Sequence, residues 1–308
     1  SEGELIRKKY NDELLRTAEL KAKIAMVDKL SGEIEDLKAQ QSNDPSSAAS
    51  TGTKVRNFVG GMFSNSSMSE AGAMAEGVAN LQAEIANALE CFFSEQYAQS
   101  ATNGEYIYNT QAIAARSWRE VCLQYLLLAV DNKTPQKLAA QQYQQAQHMS
   151  DRMSALRGLV FSNAPQAAEC LQDFYQRFEQ EALVIDSWFA VQATNAQASI
   201  NDIKALTEHQ AFSLINPNRL RSVLAQFANA NPVLFHQQNG DGYRFVTQKI
   251  AELDKLNPQI ASRLLGAFSR WQRLRPTLKQ QAQAALQKLR EQSLSNDTFE
   301  TLNRLLNS

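Results

Sequence analysis

"NPNRLRSVLAQFANANPVLFHQQNGDGYRFV", residues 216–246, decides how this chain folds. Two Asn-Pro pairs, at 216–217 and 231–232, each place a capping side chain directly ahead of a proline. An Asn at the N-cap accepts a bond from an orphan backbone N–H, and Pro at the first helical position has no N–H to lose. After the first pair, Leu220, Val223, Leu224 and Phe227 recur at helical spacing and read as core. "NGDGY", 239–243, is a turn in which glycine supplies positive φ. Arg219 and Arg221 lie within the first helix, and positions two apart point to nearly opposite sides. The two arginines therefore cannot share a face. One can lie in solvent, and the stretch poses the question of what the other looks at.

The same punctuation recurs outward from there. Thr134-Pro135 and Asn257-Pro258 repeat the cap-proline signal, and Asn163-Ala164-Pro165 and Arg275-Pro276 are weaker versions of it. From Glu70 onward no stretch alternates with period two long enough for a strand, while helical spacings recur. Helix starts at 135, 165, 217, 232 and 258 predict an all-α fold: antiparallel helix pairs stacked into an α-solenoid-like superhelix. The irregular spacing of those starts argues against a regular repeat.

Residues 1–41 read differently. Leu20, Val27 and Ile34 form one row at a spacing of seven, and Leu30 and Leu37 form the other. Lys21, Lys23, Asp28, Glu33 and Glu35 decorate the outside. That is a short coiled-coil seam, which predicts self-association or a helical partner protein; a single amphipathic helix docked on the rest is the alternative. Residues 42–69 are a flexible linker rich in Ser, Asn, Pro and Gly, carrying an apolar tag, "VRNFVGGMFSNSS", at 55–67. The tag packs locally or docks in a groove. Residues 70–308 form the helical superhelix.

Composition limits the function. The chain has 308 residues, 44% hydrophobic and 20% charged, with net charge -1, which suits a soluble protein with a sizeable core. No basic stripe points to nucleic acid. The longest apolar runs, such as "YLLLAV" at 125–130, are too short to span a bilayer. "SEGELIRKKYNDELL" has no apolar core of the signal-peptide kind, and the scattered Cys91, Cys122 and Cys170 read as reduced, buried thiols of a cytoplasmic protein.

Little chemistry is visible. His148, His209 and His236 belong to no His-Glu-x-x-His, and no Cys-x-x-Cys exists, which excludes a transition-metal site built from one contiguous motif. There is no Gly-x-Ser-x-Gly, phosphate loop or dinucleotide fingerprint. Asp186 lies in an apolar helix, "LVIDSWFAVQAT", and is expected to pair with an arginine or cap a helix. "QQYQQAQ", 141–147, reads as a solvated helix face, and Trp118, Trp188 and Trp271 read as core.

Three segments carry a resemblance: "LVIDSWFAVQAT" (183–194), the 213–246 stretch, and "LNPQIASRLLGAF" (256–268). Together they resemble the C-terminal helical domain of bacterial aminopeptidase N, one of the gluzincin metallo-aminopeptidases. The likeness covers about residues 85–308 and includes 109–127 and 294–306. It implies a superhelix that caps a separate thermolysin-like domain, with zinc bound in that other domain and no cofactor or catalytic residue here. It further implies that Arg221 and Arg263 lie on the inner wall of the cap, facing the substrate chamber, while Arg219 is structural or solvated. "GAMAE", 72–76, resembles the family's Gly-Ala-Met-Glu-Asn motif by eye, but Ala75 stands where Glu is needed. Residues 1–68 lie outside the likeness. The expectation is a non-catalytic chimera: a coiled-coil segment of cytoskeletal, trafficking or scaffold type joined to an aminopeptidase cap domain. The alternative is a natural peptidase remnant that binds peptides or works in trans with a catalytic domain.

Overall fold

A computed structural model describes residues 80–101, 106–129 and 133–307, all within one compact unit. The coiled-coil seam, the linker with its apolar tag, and "GAMAE" lie outside the described residues. No strand occurs among those described. Helical turns at 80–88 lead into α1 (Glu90–Gln99), α2 (Thr110–Leu128), α3 (Lys133–Gln145) and α4 (Met149–Phe161). Next come α5 (Ala167–Phe178), α6 (Ala182–Ala193) and α7 (Ile200–Glu208). The 216–246 stretch forms α8 (Pro217–Leu220), a π-helical turn (Arg221–Ala225), α9 (Gln226–Ala230), α10 (Pro232–Phe235) and the start of α11 (Asp241–Asp254). The chain closes with α12 (Pro258–Leu264), 3-10 turns Leu265–Phe268 and Trp271–Arg273, α13 (Pro276–Arg290) and α14 (Asn296–Asn307). Successive helices pack on one another along the chain, α1 on α2, α3 on α4, α5 on α6 and α11 on α12. The architecture is an all-helical, solenoid-like stack.

The Asn-Pro rule holds at its three sites. Asn216 accepts from Asn218 and Arg219 N–H, Asn231 from Leu234 N–H and Asn257 from Ile260 N–H, each with Pro next in line. Asn231 does more. It is 1% exposed, and its Nδ2 donates to the Ala193 and Asn195 carbonyls at 3.1 and 2.9 Å, tying α10 to the end of α6. The turn at Gly240 has φ 72, as expected of the glycine there.

Two other proline signals resolve otherwise. Asn163 does not begin a helix; with φ 51 it ends α4. Ala164 N–H bonds Leu159 O and Asn163 N–H bonds Val160 O, the paired reverse bonds of a Schellman C-terminus, where Asn tolerates the left-handed conformation. Helix α3 starts at Lys133, two residues ahead of the expected Pro135. Pro sits in the first turn at no cost, because N–H groups there have no helical partner.

The face read as solvated at 141–147 is so only in part: Gln141, Gln144, Gln145 and Gln147 are exposed, but two of its residues are core. Gln142 and Tyr143 are 7% and 2% exposed. Tyr97 Oη donates to Gln142 Oε1 at 2.6 Å, Gln142 Nε2 donates to Asp151 O at 2.8 Å, and Tyr143 Oη donates to Asp173 at 2.7 Å. Polar residues can be core when every polar atom is matched. Cys91 is exposed and only Cys122 and Cys170 are buried; all three are free thiols. Trp188 and Trp271 are core, but Trp118 is half-buried.

Candidate functional site

The helix begun by Asn216 is not a plain α-helix. Ser222 Oγ donates to the Arg219 carbonyl at 2.8 Å, and such a side-chain bond competes with the backbone ladder. Further along, Gln226 N–H reaches back five residues to Arg221 O, the π pattern. Single π turns mark functional sites more often than chance, since the extra residue re-aims neighbouring side chains. Nothing in the residue spacing announced it.

Arg219 and Arg221 part as the spacing requires. Arg219 is buried, with a side chain 9% exposed, and its Nη1 lies 3.0 Å from Asp186 Oδ1 on α6, itself 17% exposed. Those two atoms are close but not aligned as a hydrogen bond, so the contact is one of charge rather than direction. The guanidinium also stands 5.2 Å above the Phe189 ring. Asp186 thus has the arginine partner expected of it. Asp241 and Glu252 are occupied by Arg244 and Lys249.

Beside this pair lies His209, packed against Tyr175, Trp188 and Phe189, its Nδ1 accepting from Ala211 N–H. Burial, aided by the Arg219 charge, holds its pKa below the ordinary 6.5. Burial does the same to His236, whose Nδ1 is 2.7 Å from Tyr243 Oη. The fold makes both imidazoles harder to protonate, whereas the unfolded chain takes up their protons from about pH 6.5 downward. Stability is therefore full above that pH and is lost as pH falls through the lower folded values. Thermal melts at constant ionic strength should show the melting temperature dropping between pH 7 and pH 5. A flat profile would contradict this reading.

Arg221 faces out, its Nη1 donating to Asn218 Oδ1 at 3.2 Å. It lines a cleft of about 550 Å³ together with Arg263 of α12, beside Pro217, Asn257 and Gln259. The two arginines singled out from the sequence thus come together on one cleft, though they are 42 positions apart (263 − 221). Among the described residues, no carboxylate lines it. Each arginine lies in the first two turns past an Asn-Pro cap, five residues after Asn216 and six after Asn257. Exposed guanidiniums without an acidic neighbour can bind carboxylates or peptide carbonyls. Among the described residues, no group of three or more His, Cys, Asp or Glu is placed to hold a metal ion, and no helix is long and apolar enough to cross a membrane.

A family model described as "Domain of unknown function (DUF3458_C) ARM repeats" matches residues 17–307. Among curated proteins, aminopeptidase N of Escherichia coli (strain K12) is 32% identical over 228 residues, covering 73% of this chain and 26% of its own length. Aminopeptidase N of Haemophilus influenzae is 37% identical over 231 residues, with the same coverage of each. Among solved structures, Legionella pneumophila aminopeptidase A in complex with aspartic acid superposes with a TM-score of 0.70 at 26% identity, over 76% of this chain and 28% of that one. The chain therefore spans about a quarter of the length of these relatives. It belongs to the DUF3458_C family of ARM-repeat domains, the C-terminal helical domain of aminopeptidase N.

Proposed function

We propose that this domain is the non-catalytic wall of an aminopeptidase substrate chamber, with Arg221 and Arg263 facing the peptide. The observation that carries the reading is their convergence on one cleft that no described carboxylate lines. Zinc and the peptide-cleaving residues belong, on this reading, to a separate catalytic domain, and the chain needs no cofactor of its own. That the Legionella relative was solved with aspartic acid fits an enzyme whose ligands carry carboxylates. Free thiols with pKa values pushed by burial to about 11 at Cys122 and Cys170 suit a reducing cytoplasm.

Fluorescence anisotropy with a labelled hexapeptide, its carboxylate left free, tests the wall. Each charge-assisted contact is worth about 1.5–3 kcal/mol, so Arg221→Ala with Arg263→Ala should weaken binding at least tenfold. Both are exposed, and each change alone should move stability by about half a kcal/mol or less. Unchanged binding in the double variant would end this reading of the cleft.

For residues 1–41 we infer an interaction role, self-association or a helical partner, from the heptad seam. A family match that begins at residue 17 favours a natural piece of an aminopeptidase over a chimera with an unrelated segment. Val27→Asp with Ile34→Asp puts charge into the seam, where desolvation is costly. Sedimentation should show an associated parent and a dissociated variant; identical species would show that the seam is not an interface.

A further inference from the structure

A second cleft, of about 630 Å³, opens beside the first and shares Asn229, Gly266 and Ala267 with it. Arg270, Arg273 and Arg275 line it, together with His236, Tyr243 and Trp271. Among the described residues, no carboxylate lines either cleft. The side chains of these three arginines form no ion pair or hydrogen bond among the described residues. Nor is their backbone a loose loop. Trp271 between them is 4% exposed and donates Nε1–H to the Leu305 carbonyl at 2.9 Å, anchoring the 3-10 turn on α14. Lys279, 5.9 Å from the Trp271 ring, adds another cation to the same neighbourhood.

Like charges held together without counter-ions raise the local potential, and low-dielectric cleft walls focus it. The anion that answers it is set by the layout. A compact ion such as phosphate calls for converging donors. Here the arginines are divided between two adjoining clefts, Arg221 and Arg263 on one and Arg270, Arg273 and Arg275 on the other. We propose that the second cleft receives the acidic side chains of an extended peptide whose remaining length lies along Arg221 and Arg263. The inference rests on the chamber-wall reading and adds to it a preference for Asp- and Glu-bearing peptides.

Two fluorescein-labelled hexapeptides serve as probes, Ala-Gly-Asp-Glu-Asp-Glu and its amide isostere Ala-Gly-Asn-Gln-Asn-Gln, both with free carboxyl termini. Anisotropy titrations of the full chain should show the acidic peptide binding at least tenfold more tightly in 50 mM NaCl. Screening should remove most of that advantage at 500 mM. Arg270→Gln, Arg273→Gln and Arg275→Gln together should erase the advantage and leave isostere binding unchanged. A charge-matched control, Lys288→Gln, Arg290→Gln and Arg304→Gln, should preserve it. Gly266 adds an independent check. A Cβ there meets nothing within 4 Å, so Gly266→Leu projects into the boundary between the clefts and should weaken both peptides without lowering the melting temperature. Equal affinity for the two peptides, or equal loss in the control, overturns the inference while leaving the chamber wall intact. Stoichiometric binding of inorganic phosphate without preference for the acidic peptide overturns it in favour of a compact anion. No binding of either peptide sinks the chamber-wall reading itself.

Discussion

Asp186→Ala should destabilise the helical domain by about 3–5 kcal/mol, the usual cost of stranding one member of a buried ion pair. Arg219 is the stranded group. Its side chain is 9% exposed, its one ion-pair partner among the described residues is Asp186 at 3.0 Å, and its guanidinium lies over the Phe189 ring. A guanidinium does not give up its proton, so it cannot escape the penalty by turning neutral. Arg219→Met should cost less, since the stem keeps its packing and the carboxylate left behind is the more exposed partner. The double change should cost less than the two single ones added together, because the residues are in contact. His209 supplies a second readout. Part of what lowers its pKa is the Arg219 charge, so in Arg219→Met its NMR titration should move up towards 6.5. Chemical denaturation of the four proteins measures the first effect. A loss below about 1 kcal/mol for Asp186→Ala would mean that water reaches Arg219 and that the pair is an ordinary surface one.

Asp254→Ala should cost about 3 kcal/mol, since unsatisfied buried donors cost about 1–3 kcal/mol each and some will find water. Asp254 is 5% exposed at the end of α11. It accepts from Ser295 N–H at 2.7 Å, from Ser295 Oγ at 2.5 Å and from Thr298 Oγ1 at 2.5 Å. Those bonds position Ser295 immediately before α14 and so fix the last helix to the stack. Burial alone would raise the carboxyl's pKa, but the bonds from Ser295 and Thr298 outweigh it and hold the value below 3.8. The stability it contributes is present above 3.8 and is lost as pH falls through the folded value. Urea melts at pH 7 and pH 3 test both halves. The parent should weaken on acidification by more than the alanine variant does.

Much of the fold was legible because Asn-Pro pairs state a helix start in two residues. The caps at Asn216, Asn231 and Asn257 were readable, and so was the divergence of Arg219 from Arg221, which needs only the helical period. Asp186 was readable as a paired acid because an apolar helix cannot keep a lone carboxylate. What escaped depended on partners distant in the chain. Gln142 and Tyr143 look like a wetted face until Tyr97, Asp151 and Asp173 come within bonding distance. Asn163 has the composition of an N-cap, and only the left-handed backbone after α4 shows that it closes a helix. The π turn and the second arginine cleft had no local signal. The second arises from α9 and the 270–275 segment meeting in space.

A crystal structure of the chain grown with a saturating free-carboxylate peptide would test the central claim most directly. The account predicts peptide density along the cleft, with a carboxylate or main-chain carbonyl oxygen within about 3.2 Å of a guanidinium nitrogen of Arg221 or Arg263. A peptide bound elsewhere on the helical stack, with this cleft empty, would contradict it.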